Sequence, residues 1–150
     1  MTTIAYRDGI MAGDSRAYSG DKHPIGHKQK IFALPGGRLV GVSSSVVGAP
    51  NHFITWLCSL DPKIFLASAV ADQEHLVQAL VVEPNGDAFY WNDGRTFTGP
   101  IQADYYAIGS GQQTALAALT LGKSAAEAIE LAILLDPWTG GDVRTLEHPK

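Results

Sequence analysis

Short apolar runs separated by turn residues predict β-strands over much of the first two thirds of the chain. Residues 3–7 and 10–14 flank Asp8-Gly9, a dipeptide that suits the positive φ angles of a tight hairpin turn. Two further hairpins are predicted at residues 35–37 and 84–87, where proline and glycine mark turns. The polar stretch 18–28 is interpreted as a connection. The predicted strands are residues 3–7, 10–14, 30–34, 38–45, 75–83, 88–91 and 105–109.

Apolar residues at spacings of three and four predict helices in the middle and towards the end of the chain. Residues 61–74 fit either a short helix or a loop, and residues 143–147 fit an edge strand. Runs of strands followed by runs of helices predict an α+β fold. The predicted helices are residues 50–60, residues 112–121, and a third that runs from a capping box of Ser124 and Glu127 to Asp136.

Composition narrows the class of protein. The 150 residues are 45% hydrophobic and 17% charged, which fits one globular domain over residues 1–150. The net charge is -4 and the basic residues are scattered, so neither a nucleic acid nor a membrane surface is an expected partner. Cys58 is the one cysteine, which excludes an intrachain disulfide. Because Arg7 and Asp8 interrupt any signal-peptide core, we expect a cytoplasmic protein.

The histidines do not form a metal-binding pattern. His23 and His27 are four residues apart, but glycine and proline interrupt that stretch, so no helix brings the two rings together. The sequence also lacks a nucleophile elbow, a Walker motif and a dinucleotide-binding glycine pattern. We therefore expect neither a metal nor a cofactor.

The second residue has a chemistry of its own. If Met1 is removed, Thr2 becomes N-terminal, and its α-amino group, with an unperturbed pKa of about 7.7 to 8.0, can act as base for its own hydroxyl. One residue would then be both nucleophile and base. Many proteins have a threonine at this position without a catalytic role, so Thr2 alone does not show that the protein is an enzyme.

Three segments taken together resemble one enzyme family. TTIAYRDG followed by IMAGDSRA resembles the start of proteasome β-subunits and of the bacterial HslV peptidase. YAIGSG at residues 106–111 resembles the internal Ile-Gly-Ser-Gly of that family, and DPWTGGDVRTLE at 136–147 resembles its late Asp-x-x-Ser/Thr-Gly-Gly segment. In order and spacing, the chain resembles a compact bacterial or phage-type member of these N-terminal nucleophile hydrolases.

The resemblance implies a threonine peptidase with a four-layer α/β/β/α sandwich. Thr2 matches the nucleophile, and Asp14 matches the aspartate that pairs with a strand-borne lysine, for which Lys30 is the match. A buried lysine would depress the pKa of the amine, and Asp14 would offset the cost of burying its charge. Lys28 lies on the same strand face and stays an alternative to Lys30. By themselves, Asp14 and Lys30 also fit an ordinary surface salt bridge.

The resemblance implies further site residues. Ser110 matches the serine that hydrogen-bonds the terminal amine, and Asp136 and Thr139 match the residues that hold that serine and the amine in place. By itself, Ser110 also fits a turn before a helix, and Asp136 also fits the end of a helix. The backbone N–H of Ser44 would bind the oxyanion, provided that its φ and ψ suit a residue with a Cβ. The implied substrate-binding residues are Ala17, Lys28, Val42 and Val46, and the charge of Lys28 would favour acidic side chains.

The resemblance also implies partners. They are a peptide or unfolded-protein substrate, a homo-oligomeric ring and, as an option, an ATP-dependent unfoldase. Larger relatives have a long helical hairpin where this chain has residues 50–74, so we expect a single ring rather than two stacked rings. The alternative is a catalytically silent assembly protein with the same fold, which retention of Met1 would favour.

Overall fold

The computed structural model describes residues 1–19 and 23–150, so residues 20–22 of the predicted connection lie outside the described residues. It confirms a mixed fold of strands and helices. The strands are β1 (Thr3–Arg7), β2 (Ile10–Gly13), β3 (Arg16–Tyr18), β4 (Pro24–His27), β5 (Ile31–Ala33), β6 (Leu39–Ser43), β7 (Val70–Val82), β8 (Ala88–Thr96), β9 (Thr98–Ile101), β10 (Tyr105–Gly109) and β11 (Arg144–Glu147). The helices are α1 (Ala49–Ser59), α2 (Gln112–Thr120) and α3 (Ala125–Leu135).

The first sheet has the strand order β10-β1-β2-β11 with antiparallel neighbours, and we call it the N-terminal sheet. The hairpin of β1 and β2 turns at Asp8 and Gly9, whose φ angles are 52° and 80°, so the predicted tight turn is confirmed. Side chains alternate along a strand. Ala5 of β1 therefore packs under α2 and α3, while Ile4 packs against the second sheet.

The second sheet has the order β5-β6-β7-β8-β9. One face of this sheet packs on the N-terminal sheet, and the opposite face packs under α1. Under α1, the ring centroids of Phe53 and Trp91 lie 5.1 Å apart. The two sheets come very close at Gly41, because a Cβ there would lie 2.5 Å from Cγ2 of Ile4. Strand β1, which follows the start of the chain, is thus fixed between two helices and the second sheet.

The helices α2 and α3 pack together on the N-terminal sheet through a cluster rich in alanine. The predicted capping box of α3 is confirmed, since Ser124 Oγ accepts from Glu127 N and Glu127 Oε1 accepts from Ser124 N, both at 3.1 Å. None of the helices in the described part of the chain is long and apolar enough to span a membrane.

Residues 61–74 combine both predicted options with the start of a strand that was not predicted there. They contain turns, a 3-10 helix at Leu66–Ser68, and the start of β7 at Val70. This first part of β7 pairs with β8 in an irregular register and exposes residues 72–74. The apolar alternation of a half-buried strand is therefore missing there, and the pattern could not predict it.

Strands β3, β4 and β9 were not predicted. β4 pairs with β3 inside the polar stretch, and all four residues of β4 are exposed. β9 lies at the edge of the second sheet, and three of its four residues are exposed. Because these strands bury few side chains, their positions depend on backbone pairing, which leaves little trace in the hydrophobic pattern.

Candidate active site

Thr2 and Thr3 lie at the start of β1 and are almost fully buried, with 3% and 0% of their surface exposed. On one side, the backbone N–H of Ser110, just after β10, donates to Thr2 O at 2.8 Å. On the other side, Asp14 receives a hydrogen bond from Thr3 N at Oδ1 (3.0 Å) and donates its own N–H to Thr3 O (3.3 Å). Both neighbouring strands therefore fix the start of the chain.

Asp14 forms a buried ion pair with Lys30. Lys30 Nζ lies 2.9 Å from Asp14 Oδ2, and the side chains are 2% and 0% exposed, so this is not a surface salt bridge. The backbone N–H of Gly140 donates to the same Oδ2 at 3.0 Å, and Lys30 Nζ also donates to Met1 O at 2.8 Å. The pair thus has the additional hydrogen bonds that a buried charge requires.

This environment lowers the pKa of two amines. Burial lowers the pKa of Lys30 below its ordinary value, and the attraction of Asp14 offsets only part of the effect. The pKa of the Met1 amine is also lowered, first by burial and then by the positive charge of Lys30. An amine at this end of the chain therefore loses its proton more readily than an exposed amine does.

A series of hydroxyls connects Thr3 to Asp136. Ser110 Oγ and Thr139 Oγ1 each donate to Asp136 Oδ2 at 2.6 Å, and Ser110 Oγ lies 3.4 Å from Thr2 O. Because the proton of Thr139 points to the carboxylate, Thr3 Oγ1 is the donor in its 2.7 Å bond to Thr139 Oγ1. Two of the hydroxyls thus donate directly to the carboxylate of Asp136, and that of Thr3 is linked to it through Thr139.

The carboxylate of Asp136 stays ionised in this network. Burial alone would raise its pKa, but hydrogen bonds from Ser110, Thr139 and the backbone N–H of Trp138 outweigh burial and leave the pKa below its ordinary value. Asp136 is also the C-cap residue of α3, so the helix end and the hydroxyl network share one residue.

Two glycines make room for the threonines. A Cβ on Gly109, where φ is 102°, would overlap the carbonyl group of Thr2. A Cβ on Gly111 would lie 2.5 Å from Thr3 Oγ1, which accepts a hydrogen bond from Gly111 N at 3.0 Å. The GSG motif therefore needs both glycines, because the start of the chain runs directly against it.

The whole chain can be superimposed on solved structures. BPH from Thiobacillus denitrificans gives a TM-score of 0.68 at 19% identity in complex with epoxomicin, and 0.65 at 18% in a second structure. HslV from Trypanosoma brucei gives 0.68 at 16% identity. The alignments cover 99% of this chain and 99%, 98% and 100% of those chains, respectively. The chain has an HslV-like, proteasome-type fold. No protein-family model matches the sequence, and no curated protein matches it.

In this HslV-like fold, the residues that the resemblance matched to the catalytic machinery come together at the start of β1. They are Thr2, Asp14, Lys30, Ser110, Asp136 and Thr139. Lys30, and not the exposed Lys28, makes the ion pair with Asp14. Lys28 instead lines a cavity of about 150 Å³ that opens beside Thr2, as do Ser44 and Val46.

Two implied substrate-binding residues lie elsewhere. Val42 is 2% exposed and packs in the cluster under α1, so its side chain belongs to the core. Ala17 is buried as well and is not among the residues that line the cavity. Along β6, neighbouring side chains alternate between the two faces, so a sequence match at one position does not show which face it serves.

Ser44 lies at the cavity immediately after β6 and is tied down by its side chain. Its Oγ donates to Leu76 O at 2.6 Å and accepts from Val46 N at 3.0 Å. Its φ is not in the left-handed region, so a residue with a Cβ fits where relatives commonly have glycine. The N–H of Ser44 stays a predicted oxyanion donor.

Sequence reasoning missed Thr3 and gave no reason for Gly109 and Gly111. The doubled threonine of TTIAYR was the available signal for Thr3, since the side chains of adjacent strand residues serve opposite faces. No signal in the sequence marks the two glycines as contacts of residues more than a hundred positions away. Among the described residues, no group of three or more metal-binding side chains lies together.

Proposed function

We propose that the protein is a threonine peptidase in which Thr2, exposed by removal of Met1, cleaves peptide bonds. One observation carries the proposal: Lys30 Nζ, paired with Asp14, lies 2.8 Å from the oxygen of the Met1–Thr2 peptide bond. Cleavage of this peptide bond would leave the new α-amine of Thr2 beside the ammonium group of Lys30. A neighbouring positive charge and burial both favour the neutral amine, which is the form that acts as a base.

The chemistry follows in two stages. The neutral amine accepts the proton of the Thr2 hydroxyl as Oγ1 attacks the substrate carbonyl, and the N–H of Ser44 stabilises the oxyanion of the tetrahedral intermediate. The C–N bond breaks, the leaving amine takes the proton, and an ester on Thr2 remains. Water then attacks the ester and gives a proton to the Thr2 α-amine. The bond between the acyl carbon and Oγ1 breaks, the α-amine returns the proton to Oγ1, and the acid product leaves.

The other polar groups position this pair. Asp14 compensates the charge of Lys30 and holds the N–H of Thr3. Ser110, fixed by Asp136, donates its backbone N–H to Thr2 O. These residues are positioning residues, and Thr2 and Ser44 touch the substrate.

We also propose the finer architecture that the resemblance implies, a single domain with a four-layer α/β/β/α sandwich. Three separate hydrophobic clusters support it: one under α1, one between the sheets and one under α2 and α3. A cytoplasmic, homo-oligomeric single ring remains part of the proposal. Exposed leucines at the ends of α2 and α3 support an assembly, with Leu121 82% and Leu134 78% exposed.

The experiment combines intact mass with a covalent probe. Intact mass shows whether Met1 is removed, and epoxomicin, whose epoxyketone reacts with both the hydroxyl and the amine of an N-terminal threonine, should attach twice to Thr2. Thr2→Ala should abolish both the adduct and hydrolysis of a fluorogenic peptide. Thr55→Ala, a change on the exposed side of α1, serves as the matched control and should keep both.

The lysines provide a second control. Adduct formation should persist somewhat below pH 7 and fall in Lys30→Ala, whereas Lys28→Ala should do less. A Lys28 variant that is impaired more would assign the role to Lys28. The absence of an adduct on a chain shown to lack Met1 would favour the alternative, a catalytically silent assembly protein.

A further inference from the structure

The cavity beside Thr2 carries uncompensated positive charge. Arg16 and Lys28 line it, and no carboxylate among the described residues does. The two ion pairs in residues 1–19 and 23–150 are made by Lys30 and Arg38. No described carboxylate therefore neutralises Arg16 or Lys28.

Arg16 is held in place by neutral groups. Its Nη2 donates to Pro137 O at 2.8 Å and to Thr139 O at 3.3 Å, and its guanidinium carbon lies 5.1 Å from the centre of the Tyr18 ring. A side chain at Gly140 would overlap the guanidinium. Carbonyl oxygens and an aromatic ring orient this cation without cancelling its charge.

Lys28 supplies the second charge from an exposed position. Its backbone N–H donates to Ser15 O at 2.7 Å, so the base of the side chain is fixed while its flexible stem can follow a ligand. The charge acts within the site: burial is the main cause that lowers the pKa of Lys30 and of the Met1 amine, and the Lys28 charge adds to it.

The two carboxylates that belong to the site are already used. Asp14 is paired with Lys30, and Asp136 accepts from two hydroxyls. Three cations thus face two carboxylates around Thr2, and a ligand with a carboxylate would restore the balance.

Resting on the proposed peptidase, we infer that the cavity selects an acidic side chain at the substrate residue whose carbonyl Thr2 attacks. Lys28 would bind that carboxylate by a charge-assisted hydrogen bond, and Arg16 would supply a fixed attractive charge. Val46 and Val47 line the same cavity and would contact the methylene groups of a glutamate. The selected substrates are peptides cleaved after glutamate or aspartate.

The test uses three fluorogenic peptides that differ only in the residue before the cleaved bond: glutamate, its uncharged isostere glutamine, and leucine. With the processed protein at low ionic strength, kcat/KM for the glutamate peptide should exceed that for the glutamine peptide about tenfold. Raising the salt concentration should reduce this ratio, since an exposed cation such as Lys28 is screened.

Variants of Lys28 then isolate the charge. Lys28→Gln should bring the ratio close to one, and Lys28→Glu should invert it. Lys63→Gln removes another exposed lysine, which does not line the cavity, and should leave the ratio unchanged. Hydrolysis of all three peptides with an unchanged ratio in Lys28→Glu would overturn the inference and keep the proposed function.

A binding measurement separates the two proposals. Fluorescence anisotropy of the labelled glutamate and glutamine peptides on the Thr2→Ala variant should give dissociation constants that differ about tenfold in the same direction. Selective binding without hydrolysis by the processed protein would retain the acidic subsite and overturn the peptidase. Equal binding of both peptides would overturn the subsite.

Discussion

The carboxylates of Asp14 and Asp136 both fix the start of β1, but they do so with different partners. Asp14 is 1% exposed and meets a full positive charge on Lys30, together with two backbone N–H groups. Asp136 is only partly buried and meets neutral donors, among them the hydroxyls of Ser110 and Thr139. The two sites hold neighbouring residues at the same end of the strand.

The difference follows from burial. A carboxylate that loses almost all its water, such as Asp14, needs an opposite charge and several hydrogen bonds. A partly buried carboxylate, such as Asp136, keeps part of its hydration and needs only neutral donors. The two sides should therefore respond differently when a charge is removed. Removal of the charge of Asp14 should reduce the free energy of unfolding strongly, and removal of the charge of Asp136 should reduce it little.

The largest effect is expected for Asp14→Asn. The change leaves the Lys30 ammonium buried without its counter-charge, so the free energy of unfolding should fall by about 3 to 5 kcal/mol. Urea denaturation measures the loss. Lys30→Met should cost a similar amount, and the double variant should lose much less than the sum of the two, because it leaves no unpaired charge. Additive losses would contradict the pairing.

A smaller effect is expected for Gly111→Ala, which crowds the Asp136 side. The new Cβ would lie 2.5 Å from Thr3 Oγ1 and 3.3 Å from Asp136 Oδ2. Overpacking of this kind costs about 1 to 3 kcal/mol, which thermal or urea unfolding would show. Gly94→Ala is the matched control, because its Cβ meets one ordinary contact at 3.7 Å. Equal losses in the two variants would show that the hydroxyl series tolerates displacement.

Asp136→Asn should cost less than either change. The asparagine removes a charge but can still bond the hydroxyls of Ser110 and Thr139, which can reverse their donor roles. We expect a loss below about 1.5 kcal/mol, measured in the same urea titration. A loss as large as that of Asp14→Asn would mean that Asp136 is held as a buried charge, and the comparison would fail.

The smallest effect is a dependence on pH that belongs to Asp136. Its folded pKa lies below the ordinary value of 3.8, so its carboxylate stabilises the fold fully above that pH, and the contribution is lost as the pH falls through the folded pKa. The difference in stability between the wild type and Asp136→Asn should therefore stay constant from pH 6 to about 4 and shrink below. A difference that already shrinks above pH 5 would show that folding raises the pKa of Asp136 instead of lowering it.

Local patterns predicted the elements whose causes are local. Asp8-Gly9 determined the first hairpin through its backbone preferences, and Ser124 with Glu127 determined the start of α3 through hydrogen bonds within one turn. The motif resemblance predicted the HslV-like fold and selected the residues that meet at Thr2. It left the roles of Lys28 and Lys30 open, because neighbouring positions on one strand face look alike in sequence.

Tertiary structure decided the contacts that join distant parts of the chain. It paired Lys30 with Asp14, oriented the side chain of Val42 into the core under α1, and placed Gly109 against Thr2. It also paired the exposed strand β4, which no hydrophobic alternation marks. The sequence by itself determined which backbone angles and which buried faces are favourable. Only packing decided which side chains share the space at Thr2, because a hydrogen bond or a steric limit between residues far apart in the chain exists only after both strands are in place.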